Sequence, residues 1–255
     1  MGDVSGMKTS PTEFSLIVTC YDSEKFVRES LESIHAQDYE HDQFEVICVD
    51  DGSRDQTADI IQEFKSRFPY IVYLKTIHQG LEKACNEGVR QAKFPWIVRV
   101  DSDDMIKANF LTRMNKAIQE TAGMSFYYCK QYMEYYFKEN QIAKELPEFD
   151  PEEIFSRGDF FATGTVYRKS DLFEIGLFPE NVVNCGLENY SVILSLIVHQ
   201  KKGVAVSGTG FCYRRHSTNM STLRRTAIIE YGKQLLVSYH RSFQTNQYHP
   251  YGLII

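Results

Sequence analysis

The chain has 255 residues, of which 43% are hydrophobic and 24% charged, with a net charge of −6 and a pI of about 5.7. That composition excludes a disordered chain, and the acidic balance excludes a general nucleic-acid binder, which needs surplus Lys and Arg to neutralise phosphate. There is no apolar run of about 18 residues and no signal-peptide stretch in the first dozen residues, so a cytoplasmic protein without a membrane span is expected. Six cysteines, at 20, 48, 85, 129, 185 and 212, form no CxxC pair. They read as reduced, mostly core residues without zinc-ligand spacing.

Residues 1–12 read as a tail. Phe14 to Val18 is a β-branched run expected to form a buried strand, and Tyr21-Asp22-Ser23 supplies turn and cap chemistry before a helix with Phe26, Val27, Ser30, Leu31 and Ile34 on one face. A second strand, Phe44 to Val49, ends at Asp50-Asp51-Gly52-Ser53. It is followed by a helix carrying Ile60, Ile61, Phe64 and Phe68, a short strand over Ile71 to Leu74, and a helix from Gly80 to about Lys93. Trp96 to Val100 reads as a fourth strand, ending at Asp101-Ser102-Asp103-Asp104. Four strand–helix alternations predict a parallel sheet with helices on both faces.

Beyond residue 106 the pattern is less regular. A helix is expected over 107–121, then an aromatic strand pair through Phe126–Tyr128 and Tyr135–Phe137, and a loop with a short helix over 140–158. A strand over Phe160–Tyr167, an amphipathic helix over Leu187–His199, a last strand over Gly210–Arg214 and a terminal helix over 224–243 follow. The aromatics of 126–137 and 160–167 serve either as core or as a platform for a sugar acceptor. The terminal helix, with Ile228, Ile229 and Leu235 to Val237, can pack on the core, on a second copy of the chain or on a membrane surface.

Ligand sites in such sheets lie at the carboxyl ends of strands. Three polar clusters occupy those ends: Cys20-Tyr21-Asp22, Asp50-Asp51-Gly52-Ser53 and Asp101-Ser102-Asp103-Asp104. Asp101 and Asp103 fall on one side of an extended segment. A hard divalent cation takes one or two such carboxylates and completes its shell with substrate phosphates and water. Solvated turns with helix caps would also carry these residue types.

In their order and spacing the segments resemble the family 2 glycosyltransferases of the GT-A fold. The resemblance runs from Ser15 to Ser221. It is carried by Thr19-Cys20-Tyr21-Asp22, by the helix ending Ser33-Ile34-His35-Ala36-Gln37, by Val49-Asp50-Asp51-Gly52-Ser53-Arg54-Asp55, by Gly80-Leu81 with Ala84, Asn86 and Gly88, and by Arg99-Val100-Asp101-Ser102-Asp103-Asp104. Further on, Arg168-Lys169-Ser170 to Gly176-Leu177-Phe178 and the stretch Tyr213-Arg214-Arg215-His216-Ser217-Thr218-Asn219-Met220-Ser221 also match. The resemblance implies an α/β single domain with a Rossmann-like, mostly parallel sheet and a smaller mixed subregion on the acceptor side. It implies a nucleotide-binding half over 13–105, an acceptor-binding half over 106–222, and a C-terminal helix and tail over 223–255.

The implied activity is inverting, metal-assisted transfer of a sugar from a nucleotide diphosphate, with UDP the family's commonest, to a carbohydrate or lipid-linked acceptor hydroxyl in polysaccharide or glycoconjugate synthesis. Tyr21 would pack on the nucleobase and Asp51 would hydrogen-bond it, with Asp50 nearby. Cys20, Asp22, Gly80, Lys83, Arg99, Asp101 and Ser102 are carried over as nucleotide-side residues. Asp103 would be the principal ligand of Mn²⁺ or Mg²⁺, with Asp101 and His216 assisting. Arg214, Arg215 and His216 would face the diphosphate.

Inverting transfer needs a general base. The family commonly places it in a Glu-Asp pair at a helix start, and here the pair is Glu188-Asn189. Neutral Asn189 cannot take a proton, which leaves Glu188, with Asp159 and Glu180 as alternatives. The substitution also admits a nucleotide-sugar-binding protein that lacks catalysis. A nucleotidyltransferase usually carries a Gly-rich loop after the first strand, and Thr19 to Lys25 contains no glycine. A dinucleotide enzyme is disfavoured because no GxGxxG follows that strand.

Overall fold

The strands β1 (Phe14–Cys20) and β2 (Phe44–Asp50) are buried at every position. Near-continuous apolar runs of this kind belong to parallel strands covered on both faces. The computed structural model describes residues 10–135, 141–157 and 163–242. In chain order the elements are β1, α1 (Val27–His35), β2, α2 (Thr57–Arg67), β3 (Ile71–Lys75), α3 (Leu81–Gln91), β4 (Trp96–Asp101), β5 (Met105–Ile106), α4 (Phe110–Glu120), β6 (Phe126–Tyr135), β7 (Gln141–Glu145), α5 (Pro151–Arg157), β8 (Thr165–Arg168), α6 (Lys169–Glu174), α7 (Glu188–Val198), β9 (Gly203–Arg214), α8 (Met220–Leu223) and α9 (Arg225–Ser238).

Among the described residues, nine strands share one sheet in the order β3-β2-β1-β4-β8-β6-β9-β5, with β7 on the side of β6. The first four are parallel, as expected. Beyond β4 the sheet turns mixed: β8 is antiparallel to β4 and to β6, β6 runs parallel to β9, and β5 pairs antiparallel with β9. The register sets Cys20 beside Asp50 and Thr19 beside Asp101, so the polar ends of three strands emerge at one level.

Several expectations for the second half are corrected. The aromatic strand pair is one long strand, β6, and Tyr136 and Phe137 lie outside the described residues. The stretch expected to be a loop carries β7 as well as α5. Within the strand expected over 160–167, residues 160–162 also lie outside the described residues, and β8 starts at Thr165. The last strand begins at Gly203, seven residues earlier than its apolar pattern suggests, because Val204 to Gly208 alternate too loosely to signal a strand. α7 is not amphipathic: every residue from Glu188 to Leu194 is buried, since neighbouring elements cover it on all sides. Of the two parts expected for the aromatics, Phe126, Tyr127, Tyr128 and Tyr167 take the core one, which agrees with the sequence reading. α9 packs on the core through Ile228, Tyr231 and Leu236. No described helix is long and apolar enough to cross a membrane, and all six cysteines are unbridged.

α3 lies directly on β1, and the contact depends on the absence of a side chain at Gly88: a Cβ there would stand 2.5 Å from the Ile17 Cγ2 methyl. Gly88→Ala gains helix propensity of about 1 kcal/mol but overpacks this contact by about 1–3 kcal/mol. The expected outcome is a net loss of up to about 2 kcal/mol, read as a lower urea midpoint with an unchanged m-value.

Candidate functional site

The loops at the strand tips are stitched together by side chains. After β1 the chain turns through Asp22, which adopts the left-handed region (φ 47°), tolerable for an Asp whose side chain bonds locally. Its Oδ1 accepts the Arg54 amide at 2.8 Å, and its own amide donates to Ser53 Oγ at 3.0 Å. The Ser23 amide donates to Thr57 Oγ1 at 2.7 Å, and Ser23 Oγ lies 2.9 Å from Ser102 Oγ, which ties the β1 turn to those following β2 and β4.

Asp51 organises the next wall. Its carboxylate accepts the Thr76 hydroxyl at 2.9 Å and the amides of Gln79 and Gly80 at 3.0 and 2.8 Å. His78 Nδ1 stands 3.0 Å from the same carboxylate. Gly52, at φ +79°, admits this fold-back, since a Cβ there would meet the His78 amide nitrogen at 2.9 Å. The His78 ring then stacks on Tyr21 with centroids 4.0 Å apart.

These tips open on a cleft of about 820 Å³ whose lining includes Cys20, Tyr21, Asp22, Asp51, Arg99, Asp101, Ser102, Asp103, Glu188 and His216. Burial pushes the Cys20 thiol well above its ordinary pKa, so it contributes no charge. On the far wall, His216 Nε2 lies 3.0 Å from Asp103 Oδ2. The Asn219 amide nitrogen is 3.3 Å from the same oxygen, and Phe26 stacks under the imidazole with centroids 4.4 Å apart. Asp103 and His216 meet each other in the cleft that Asp101 also lines, and a carboxylate with an imidazole is a ligand pair of the type that suits a Mn²⁺-class cation.

The buried floor is built round Arg99. Its guanidinium holds both oxygens of Asp101, at 2.7 and 3.1 Å, and reaches Glu188 Oε1 at 2.9 Å. Burial works against the arginine charge, but Asp101 and Glu188 outweigh it and hold the pKa above the ordinary arginine value. Burial also raises Glu188, opposed by Arg99, and Glu188 Oε2 is buried with no hydrogen-bond partner among the described residues. Asp101 is gripped a second time: its amide donates to Thr163 Oγ1 at 3.0 Å, and that hydroxyl lies 3.1 Å from Asp101 Oδ2 and 2.6 Å from Asp104 Oδ2. A hydroxyl has one proton to give, so it cannot donate to both carboxylates at once. Burial, with Asp103 and Asp101 nearby, raises the Asp104 pKa well above its ordinary value.

α3 delivers Glu188. Its buried Glu82 accepts the amides of Asn184 and Cys185 at 2.8 and 2.7 Å, and Asn86 donates to the Phe178 carbonyl at 2.9 Å while accepting the Phe178 amide at 2.9 Å. Glu82, Cys185 and Glu188 bring ligand atoms within 4.8 Å of one another. With the Cys185 thiol pushed far up by burial and Glu82 engaged with backbone, this group reads as a hydrogen-bonded knot beneath the cleft. Asn189 Oδ1 accepts the Tyr167 hydroxyl at 3.0 Å, which gives that residue a structural anchor.

Five residues expected at the site do not line the cleft. Asp50 is buried behind it, accepting the Ser53 amide and the Tyr73 hydroxyl, each at 2.8 Å. Gly80 turns its amide to Asp51. Lys83 lies on the α3 face near Glu180, whose pKa it helps lower. Arg214 spends its charge on Glu29 at 2.6 Å and on the Asp103 carbonyl at 2.8 Å, and Arg215 pairs with buried Glu134 at 2.8 Å. These partners come from β6, α1 and the Asp101–Asp104 turn, which local sequence does not reveal. Of the alternative bases, Glu180 is held by Asn86 and Arg90 away from the cleft lining, and Asp159 lies outside the described residues. His78, Thr163 and Glu82 carried no sequence signal. Asn219 stood in a matched stretch without a role.

A solved structure of TarS residues 1–349 from S. aureus in complex with UDP-GlcNAc superposes with a TM-score of 0.71 at 21% identity, covering 91% of this chain and 68% of that one. The mannosyltransferase PcManGT from Pyrobaculum calidifontis, solved with GDP-Man and Mn²⁺, superposes at 0.70 with 16% identity over 95% of this chain and 70% of that one. Both likenesses establish the GT-A fold. In sequence, the poly(ribitol-phosphate) beta-N-acetylglucosaminyltransferase TarS of Staphylococcus aureus is 39% identical over 100 residues, which is 39% of this chain and 18% of that much longer protein. The model of glycosyl transferase family 2 matches residues 15–175. A match over more than half of the chain, on the fold and strand-tip motifs just described, makes this protein a member of glycosyl transferase family 2.

Proposed function

We propose that the chain transfers a sugar from a nucleotide diphosphate, a UDP-sugar in the first instance, to an acceptor hydroxyl with inversion at the anomeric carbon. The observation that carries the reading is the convergence of Asp51, Asp101, Asp103, Glu188 and His216 on one cleft. Tyr21, backed by His78, offers a ring face for the nucleobase, and Asp51 shapes that slot through the 76–80 loop. Asp103 and His216 would hold Mn²⁺ or Mg²⁺, with Asp101 beside them. A bound cation offsets the negative charge that develops on the departing diphosphate. Arg99 already occupies both Asp101 oxygens, so Asp101 suits a positioning part better than that of principal ligand.

Glu188 is the proposed base. Its carboxylate, on the cleft lining with a buried and unpartnered Oε2 that a small rotation would turn to the acceptor, takes the acceptor hydroxyl proton as that oxygen bonds to the anomeric carbon, and the bond from that carbon to the diphosphate breaks with its electrons leaving on the nucleoside diphosphate. The raised pKa strengthens it as a base, and Arg99 stops burial from neutralising it. The second reading, a binding protein without turnover, draws on Asn189; the Tyr167 bond gives Asn189 a packing role that leaves Glu188 free to act.

TarS is named as acting on poly(ribitol-phosphate), and a polymeric or lipid-linked carbohydrate acceptor is the corresponding proposal here. Six unbridged thiols fit a reducing, cytoplasmic setting. Contact with a membrane surface or a second copy would use exposed apolar side chains such as Leu223 and Val237.

Calorimetric titration of UDP-, GDP- and dTDP-sugars with and without Mn²⁺ tests the reading: at least one binds, and tighter with the cation. Absence of binding by all of them in the presence of Mn²⁺ removes it. Glu188→Gln is expected to lower transfer by about 10²–10⁴-fold while donor affinity stays within about twofold, measured by product release and calorimetry. Because the base works ionised and its pKa is raised, kcat/KM falls as pH drops through a value above the ordinary glutamate range. An acid limb at or below that range would remove Glu188 from the proton step. Asp103→Ala is expected to abolish the Mn²⁺-dependent part of donor binding and leave the cation-independent part.

A further inference from the structure

Thr163 has an arrangement that the proposed chemistry leaves unexplained. It is 1% exposed, one residue ahead of Gly164, whose amide donates to the Arg99 carbonyl at 2.8 Å. The link to β4 therefore brings its hydroxyl under the Asp101–Asp104 turn. That single oxygen accepts the Asp101 amide at 3.0 Å and sits 3.1 Å from Asp101 Oδ2 and 2.6 Å from Asp104 Oδ2. Asp104 in turn uses its other oxygen, Oδ1, to accept the Arg214 amide at 2.9 Å, two residues before His216. Asp104 thus joins the segment bearing Asp101 and Asp103 to the strand that brings in His216, and the Thr163 hydroxyl braces the carboxyl that makes the join.

We propose that Thr163 is a positioning residue for the cation: it fixes the Asp101 carboxylate and, through Asp104, the spacing between Asp103 and His216. The inference rests on the cation-assisted reading above but concerns a residue that touches neither cation nor donor. The arrangement needs a hydroxyl at this point. A methyl would leave the Asp101 amide and Asp104 Oδ2 without this partner at a buried point, and the turn would relax to find others. Outer residues that orient cation ligands typically carry about 10–100-fold in affinity when removed.

The test is Mn²⁺ titration of the full chain saturated with UDP, followed by the electron paramagnetic resonance of free Mn²⁺, which needs no turnover. Thr163→Val, nearly isosteric but without the hydroxyl, is expected to weaken Mn²⁺ binding by about 10–100-fold, whereas Thr163→Ser holds it within about threefold. UDP affinity without the cation stays unchanged in both variants. Wild-type Mn²⁺ affinity in a folded Thr163→Val overturns the proposal, as does a Thr163→Ser that fails like valine. Circular dichroism establishes folding, and if the valine variant does not fold, the comparison of Thr163→Ala with Thr163→Ser decides the same question. If the wild-type chain binds UDP but no Mn²⁺, the cation reading itself falls, an outcome separate from a valine variant that behaves as wild type.

Discussion

Arg99 lies buried in β4 with one side of its guanidinium on both oxygens of Asp101 and the other on Glu188. Removing one partner from a buried ion group of this kind costs about 3–5 kcal/mol, because the remaining charges are left in a medium that solvates them poorly. The distances from strand tip to helix start are therefore held by charge rather than by packing alone. One carboxylate belongs to the β4 turn and the other to α7, so the arginine clasps the two halves of the molecule across the cleft floor.

The surrounding hydrogen bonds extend the clasp. Asp51 folds the 76–80 loop over the tip of β2, Glu82 and Asn86 pin the 178–185 segment to α3, and Thr163 with Asp104 ties the β4 turn to β9. Each uses a buried carboxylate or amide whose partners are backbone groups of another segment. Such groups are costly when unpaired. Together they leave little freedom in the relative placement of Tyr21, Asp103 and Glu188, the order that a reaction between two bound molecules requires.

The first half of the fold was legible because its signals are local. β1, β2 and β4 are unbroken apolar runs ending in Asp-rich turns, and their separating helices carry apolar faces at helical spacing. That Asp51, Asp101, Asp103, Glu188 and His216 lie on one cleft was legible for the same reason, since each stands in a short motif at the end of a strand or the start of a helix. The second half was harder to read. β6 and β9 pair across more than seventy residues, and their burial comes from partners rather than from alternation. The expected parts of Arg214 and Arg215 assumed free charge, whereas Glu29 and buried Glu134 already engage them. His78 and Thr163 belong to the site through loop geometry, which no spacing rule encodes.

The bonds that seal the cleft also impose an order on its assembly. Glu82 and Cys185 are 103 residues apart, Asp104 and Arg214 are 110, and Asp103 and His216 are 113. A nascent chain that has emerged from the ribosome only as far as the turn after β4 carries Glu82, Arg99 and Asp104 with their distant partners still unsynthesised. The parallel half can collapse around its apolar strands at that stage, yet its acidic rim stays open to water until β9 arrives. The cleft is thus the last part to close, and a chain cut before β9 leaves the carboxylates of its rim without their partners, the kind of exposed state on which chaperones and proteases act.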